Sequence, residues 1–287
     1  MKKSVIFAAV LIMLAACEKG IKTNDGDVEG EKQVTFRMDG DFSVKIDGIE
    51  TRTALTDEAN TITDLWVFDY IGDNCVQTLH QTNEDALWGT PTLSLRYGTH
   101  NIYFVASRGA SPEVDTENHI ITFGTVRDTF WKSYDMDVTS STNANRTVEM
   151  DRVVTRLRLV ATDAVPEGIA TVSITPATWY CGLDYLTGEP SSAKTNEPRV
   201  INIPSTYVGT TGEMVLNIFG FSSNEWSTTI DVVAKKTDGT TLGQAVVANA
   251  PFRRNRSTEL SGTLFGKVSV NTVGIDDEWL DDYEMTF

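Results

Sequence analysis

The chain has 287 residues, with 40 Asp and Glu against 24 Lys and Arg, for a net charge of −16. A surface that acidic repels nucleic acid and anionic headgroups, so neither is expected as a partner held by charge. The length suffices for one large β domain or two of ordinary size, each able to bury its own core.

Taken in chain order, Lys2 and Lys3 form a short basic start, and Val5 to Leu14 is a mostly apolar run. That run is too short to span a bilayer core of ~30 Å as a helix, so it reads as a secretory signal. Leu14-Ala15-Ala16-Cys17 resembles a bacterial lipobox, which predicts a signal peptide over 1–16 and acylation of Cys17. Removing Lys2 and Lys3 takes the net charge to −18. Each buried CH₂ of an acyl chain contributes about 0.8 kcal/mol, so two or three chains hold a protein durably on a membrane. No later segment reaches eighteen consecutive apolar residues, and the tether to the membrane is expected to be lipid alone. The stretch 17–32 is polar and rich in Gly and Asp, with too little apolar area to offset ordering, and reads as a flexible tether.

Strands follow. Val34, Phe36, Met38, Phe42, Val44 and Ile46 all fall on even positions, across Asp39-Gly40-Asp41. Such alternation predicts one strand with a single buried face, kinked or bulged at Gly40; exchange of this strand between chains would make it the edge of its sheet. Leu65 to Tyr70, Leu93 to Leu95 and His100 to Ala106 read as core strands, with shorter ones at 119–123 and 146–150. A second series begins at Val153 and continues through Ile169 to Thr175, Met214 to Phe219, a hairpin turning at Asp238-Gly239, and Leu260 to Val270. No helix-period segment exceeds about ten residues. The fold class is therefore all-β, with two β-sandwiches in tandem over 33–151 and 152–287. Cys75 and Cys181 could pair in an oxidising compartment, but this split separates them, which favours two free, buried thiols.

Catalytic signatures are not found. His80, His100 and His119 show no metal-ligand spacing, and there is no nucleophile elbow, phosphate loop or dinucleotide fingerprint. With 40 acids, carboxylate pairs arise by chance. The acidic run Asp276, Asp277, Glu278, Asp281, Asp282 and Glu284 lacks the spacing and central Gly of a calcium loop and reads as a solvated tail. No catalytic residue, cofactor or metal is predicted.

Several ordered segments resemble the fimbrillin-type pilus proteins of Bacteroidia. They are the lipobox at Cys17, Glu50-Thr51-Arg52-Thr53, Asp64-Leu65-Trp66-Val67-Phe68, Tyr97 to Ala106, Arg152 to Leu159 and Pro251 to Phe265. The last contains the one basic cluster, Arg253, Arg254 and Arg256. The resemblance spans nearly all of the chain after Cys17. It implies transthyretin-like sandwiches, polymerisation by donor-strand exchange, other pilin subunits as partners, an outer-membrane location and a role in adhesion. It also implies maturation by a protease cutting between Arg52 and Thr53; the alternative is that Arg52 is a solvated loop residue and the chain remains a lipidated anchor.

Strand exchange has a physical basis independent of the resemblance, because exposed strand edges invite another chain to add on. The first-choice donor is the alternating stretch with Val268, Val270 and Thr272, and the second runs from Trp279-Leu280 to Met285-Thr286-Phe287. A different reading is a lipid-anchored glycan-binding protein of a polysaccharide-capture system. Trp88 and Trp226, in turn-like stretches, are then the rings to stack on sugars, while Trp66 belongs to the core.

Overall fold

The computed structural model describes residues 30–39, 62–108, 112–266, 269–276 and 283–285. Their strands are β1 (Glu31–Asp39), β2 (Asp64–Ile71), β3 (Asn74–Thr82), β4 (Thr92–Arg96), β5 (Gly98–Ser107), β6 (Glu113–Asp115) and β7 (Ile120–Thr122). Then come β8 (Thr129–Val138), β9 (Asn145–Glu149), β10 (Asp151–Arg152), β11 (Val154–Ala161), β12 (Ile169–Pro176), β13 (Trp179–Asp184) and β14 (Glu189–Lys194). The last seven are β15 (Arg199–Asn202), β16 (Met214–Phe221), β17 (Trp226–Lys236), β18 (Thr241–Phe252), β19 (Ser257–Thr263), β20 (Ser269–Asp276) and β21 (Tyr283–Met285). One short 3-10 turn, Ser205–Tyr207, interrupts them. The fold is an all-β sandwich, as the alternation of apolar residues predicts.

In the first sandwich, the three-stranded sheet β4-β1-β9 faces the five-stranded sheet β10-β8-β5-β2-β3. Val34, Phe36, Leu93, Leu95 and Val148 from one side meet Leu65, Val67, Ile102, Phe104 and Met136 from the other. The second pairs a nine-stranded sheet, with β11, β16 and β19 at its heart, with the sheet β15-β12-β17-β18. Leu157, Leu159, Leu216 and Leu260 there pack against Val172, Ile174, Ile230 and Val232.

A third core joins the two. Residues 65 to 70 of β2 are all buried, because both faces of the strand are covered. Odd positions point into the first sandwich, while Trp66, Phe68 and Tyr70 pack with Ile121, Phe123, Leu183 and Tyr185. Phe68 lies flat on Tyr185, with ring centroids 4.0 Å apart and planes at 7°.

Three sequence expectations change. The division at 151/152 does not follow the sheets: β6 and β7 precede it, yet β7 pairs with β13 and extends the nine-stranded sheet. Apolar Ile121 and Phe123 are drawn there because they cover the outer face of β2. The first strand is not an edge; it is the middle strand of its sheet. Both cysteines are free, but only Cys181 is buried, while Cys75 is exposed on β3 at the end of its sheet.

Candidate functional site

β1 lies antiparallel to β4, from Glu31 opposite Arg96 to Thr35 opposite Thr92, and parallel to β9, from Thr35 opposite Asn145 to Asp39 opposite Glu149. The two pairings overlap only at Thr35, so the strand changes partners halfway along. Past that point the Phe36 and Met38 amides donate to the Pro91 and Gly89 carbonyls at 2.9 and 3.0 Å. Both ladders of this sheet run through β1; β4 and β9 do not pair with each other. Without β1, two strands lose their ladder bonds together.

The side chains obey the predicted alternation. Val34 and Phe36 are fully buried (0 %) and Met38 packs at the rim, while Glu31, Gln33 and Arg37 are exposed. The Phe36 ring sits 5.3 Å from that of Phe104 and 5.7 Å, edge-on, from that of Tyr134. At the strand's start, the Tyr97 amide donates to the Gly30 carbonyl at 2.9 Å. A Cβ at residue 30 would lie 2.1 Å from the Tyr97 ring. Polar contacts along the exposed side are Lys32 Nζ to the Ser140 carbonyl and Gln33 Nε2 to Ser94 Oγ, each 2.8 Å.

Of the other residues singled out from sequence, Phe42, Val44, Ile46, Cys17, Arg52, Thr53 and Val268 lie outside the described residues. Val270 and Thr272 fall on β20, which pairs antiparallel with β19 and with β21. In this state the stretch is already held within its own sheet.

Two arginines of the basic cluster are spent on the chain itself. Arg253 pairs with Glu225, and Arg254 reaches Glu189 at 3.0 Å and the Gly188 carbonyl at 2.6 Å. Between them and β19, Asn255 takes a left-handed conformation, φ 57°, which Asn tolerates well. Its side-chain oxygen accepts from Arg152, whose Nε and Nη2 grip both oxygens of buried Asp128 at 2.7 and 3.0 Å. Sequence reasoning found the segment but not this task, since its partners lie from 28 to 103 residues away along the chain.

The histidines occupy separate settings. His80 Nε2 bonds Asp64 at 2.8 Å and its ring stacks on Trp66. His119 meets the Tyr70 hydroxyl at 3.1 Å, and that hydroxyl contacts Tyr185 at 2.9 Å; burial, then this bond, pushes the Tyr70 phenol upward. His100 is 1 % exposed, with Nδ1 2.7 Å from an Asp69 oxygen and Nε2 2.9 Å from the Arg96 carbonyl. Both neighbours accept when Asp69 is ionised, so the geometry suits a doubly protonated imidazolium. Burial opposes that charge, but the hydrogen bonds to Asp69 and the carbonyl outweigh it and raise the His100 pKa. Among the described residues no three His, Cys, Asp or Glu side chains are grouped to hold a metal, and no helix is long and apolar enough to cross a membrane.

Trp66 is core, as predicted. Trp88 is half-buried against the first core. Trp226 lies on β17 rather than in a turn, and its ring lies 5.7, 5.4 and 5.2 Å from those of Trp179, Tyr180 and Phe252.

Comparison with curated proteins finds no match. Among solved structures, one similar chain is a candidate polysaccharide-binding protein from Bacteroides thetaiotaomicron, at 8 % identity and TM-score 0.52, covering 88 % of this chain and 98 % of that one. Another is a candidate adhesin from Bacteroides ovatus, at 12 % identity and TM-score 0.52, covering 90 % and 96 %. A third is the fimbrial anchor protein Mfa2 from Porphyromonas gingivalis, at 8 % identity and TM-score 0.50, covering 86 % and 98 %. At these identities the likeness is one of fold. A family of unknown function, DUF6562, matches residues 113–286, starting where β6 begins the nine-stranded sheet, and the chain belongs to that family.

Proposed function

We propose that this chain is a surface subunit of a fimbrial or adhesive assembly, joined to other subunits by strand complementation at the β1 seat. The observation that carries this reading is that β1 alone bridges β4 and β9 while burying Val34 and Phe36 completely. Each fully buried side chain of that kind contributes about 1.5–3 kcal/mol, to which the ladder bonds add. A strand seated this way is worth several kcal/mol to whichever chain supplies it, and an emptied seat is a strong site for strand addition. The fold likeness to proteins described as adhesins, and to a fimbrial anchor, supports the same reading.

The chain is exported as a lipoprotein, acylated at Cys17 and held at the outer membrane, and it contributes to cell adhesion. Cleavage between Arg52 and Thr53 converts it from a lipidated anchor into a subunit with an open seat. Mass spectrometry of surface material separates the two states: a peptide beginning at Thr53 marks the opened subunit, and intact acylated Cys17 marks the anchor. The role itself is tested by deleting the gene and imaging cells by electron microscopy. Loss, lengthening or release of filaments supports it, and unchanged filaments and unchanged adhesion defeat it.

A further inference from the structure

The β1 seat reads more than apolar alternation. At one end the Tyr97 ring occupies the space where any side chain at residue 30 would begin. That ring is packed on the rim of the core, so moving it aside exposes apolar surface. Four residues on, Val34 is sealed; two further, Phe36 sits in a pocket walled by Phe104 and Tyr134; two further again, Met38 closes the rim. A strand that fits therefore carries glycine, an aliphatic residue four places later, an aromatic ring at six and an apolar residue at eight.

Resting on the proposed strand complementation, we infer that this seat selects a strand from a different protein and rejects the chain's own C-terminal segment. Threading residues 262–287 through the seat supports this. Gly262 brings Gly266 to the Val34 position; Gly266 brings Val270, Thr272 and Gly274 to the three apolar positions; Gly274 brings Glu278 to the first. Aligning Val268, Val270 and Thr272 with Val34, Phe36 and Met38 puts Leu264 against Tyr97 and leaves a valine in a pocket shaped for a phenyl ring. Aligning Tyr283, Met285 and Phe287 puts Trp279 there instead. Elsewhere the full spacing recurs only at Gly98, Ile102, Phe104 and Ala106, which is β5 at the centre of the five-stranded sheet. The partner is thus an extended segment of another subunit reading Gly-x-x-x-aliphatic-x-aromatic-x-apolar, and the chain does not polymerise with copies of itself.

The test uses the whole chain from Glu18 with a recognition site for a specific protease inserted after Ile49. After cleavage the 18–49 fragment is stripped in urea and the remainder is returned to native buffer with fluorescent peptides covering residues 29–40, the same peptide with Phe36→Ala or Gly30→Val, and residues 264–276, and entry is read by anisotropy. The 29–40 peptide enters. The Phe36→Ala peptide, which loses a fully buried ring, enters on the order of a hundredfold more weakly. The Gly30→Val and 264–276 peptides enter more weakly by a comparable factor, and the cleaved chain stays monomeric in sedimentation. Equal entry of the 264–276 peptide, or self-association of the cleaved chain through that segment, overturns the selection rule and leaves strand complementation standing. Failure of the 29–40 peptide itself to enter overturns both.

Discussion

Replacing Phe36 with Ala probes the seat directly, and its cost follows from what the ring touches. The side chain is fully buried, with aromatic neighbours at 5.3 and 5.7 Å. Buried Phe→Ala changes cost about 3–5 kcal/mol, through lost transfer energy and the cavity left behind. Two ring pairs are lost together here, and such pairs add to simple area burial, which places this site in the upper half of that range. For a chain of this size each kcal/mol lowers the melting temperature by about 2–4 °C, so a fall of roughly 8–20 °C is expected. Val246→Ala is the control: Val246 is 56 % exposed on β18, and its loss should matter by less than about 0.5 kcal/mol. Urea unfolding followed by tryptophan fluorescence gives both values, and hydrogen exchange gives the location. Amides of β4 and β9 that bond to β1 should lose protection in Phe36→Ala, whereas those of β12 and β17 should change far less. A Phe36→Ala midpoint no lower than that of Val246→Ala would refute the claim that β1 is integral to the first sandwich.

Three further outcomes follow from particular contacts. His100 has a folded-state pKa raised above its ordinary 6.5, so its stabilisation is fully present below that value and is lost as pH rises through the raised one; urea midpoints should fall across that alkaline-going window in the wild type but not in His100→Gln, and equal slopes would dismiss the ion pair with Asp69. Arg152→Ala leaves the buried Asp128 carboxylate without its paired guanidinium, a change of about 3–5 kcal/mol by chemical denaturation; Arg152→Lys, keeping charge but not the two-pronged grip, should fall between, and equivalence with Ala would point to the grip rather than the charge. Asp163 accepts the amides of Leu264, Phe265 and Gly266 at 2.7–2.9 Å; Asp163→Ala should speed hydrogen exchange at those three amides, and unaltered exchange there would show that the carboxylate does not hold the end of β19.

Some of this molecule is written in local pattern. Period-two alternation identified the first strand, because a half-buried strand must place every second side chain inside, and β-branched and aromatic runs between turn signals marked many of the others. It also chose Val34, Phe36 and Met38 as an inward-facing set, which their burial bears out. The run Leu65 to Tyr70 was recognisable as core since nearly every residue is apolar, yet nothing in it says that its two faces serve different cores.

Long-range choices were not legible. The sequence alone determined an all-β chain, the buried face of its first strand and the turns between strands, because those depend on neighbours a few residues apart. Only the tertiary structure decided that β1 is a middle strand rather than an edge, that Ile121 and Phe123 join the later sheet, and that the Tyr97 ring fills the space beside Gly30. The reason is physical: alternation specifies which face of a strand avoids water, but which strand lies alongside is fixed by backbone hydrogen bonds, and every residue offers the same ones.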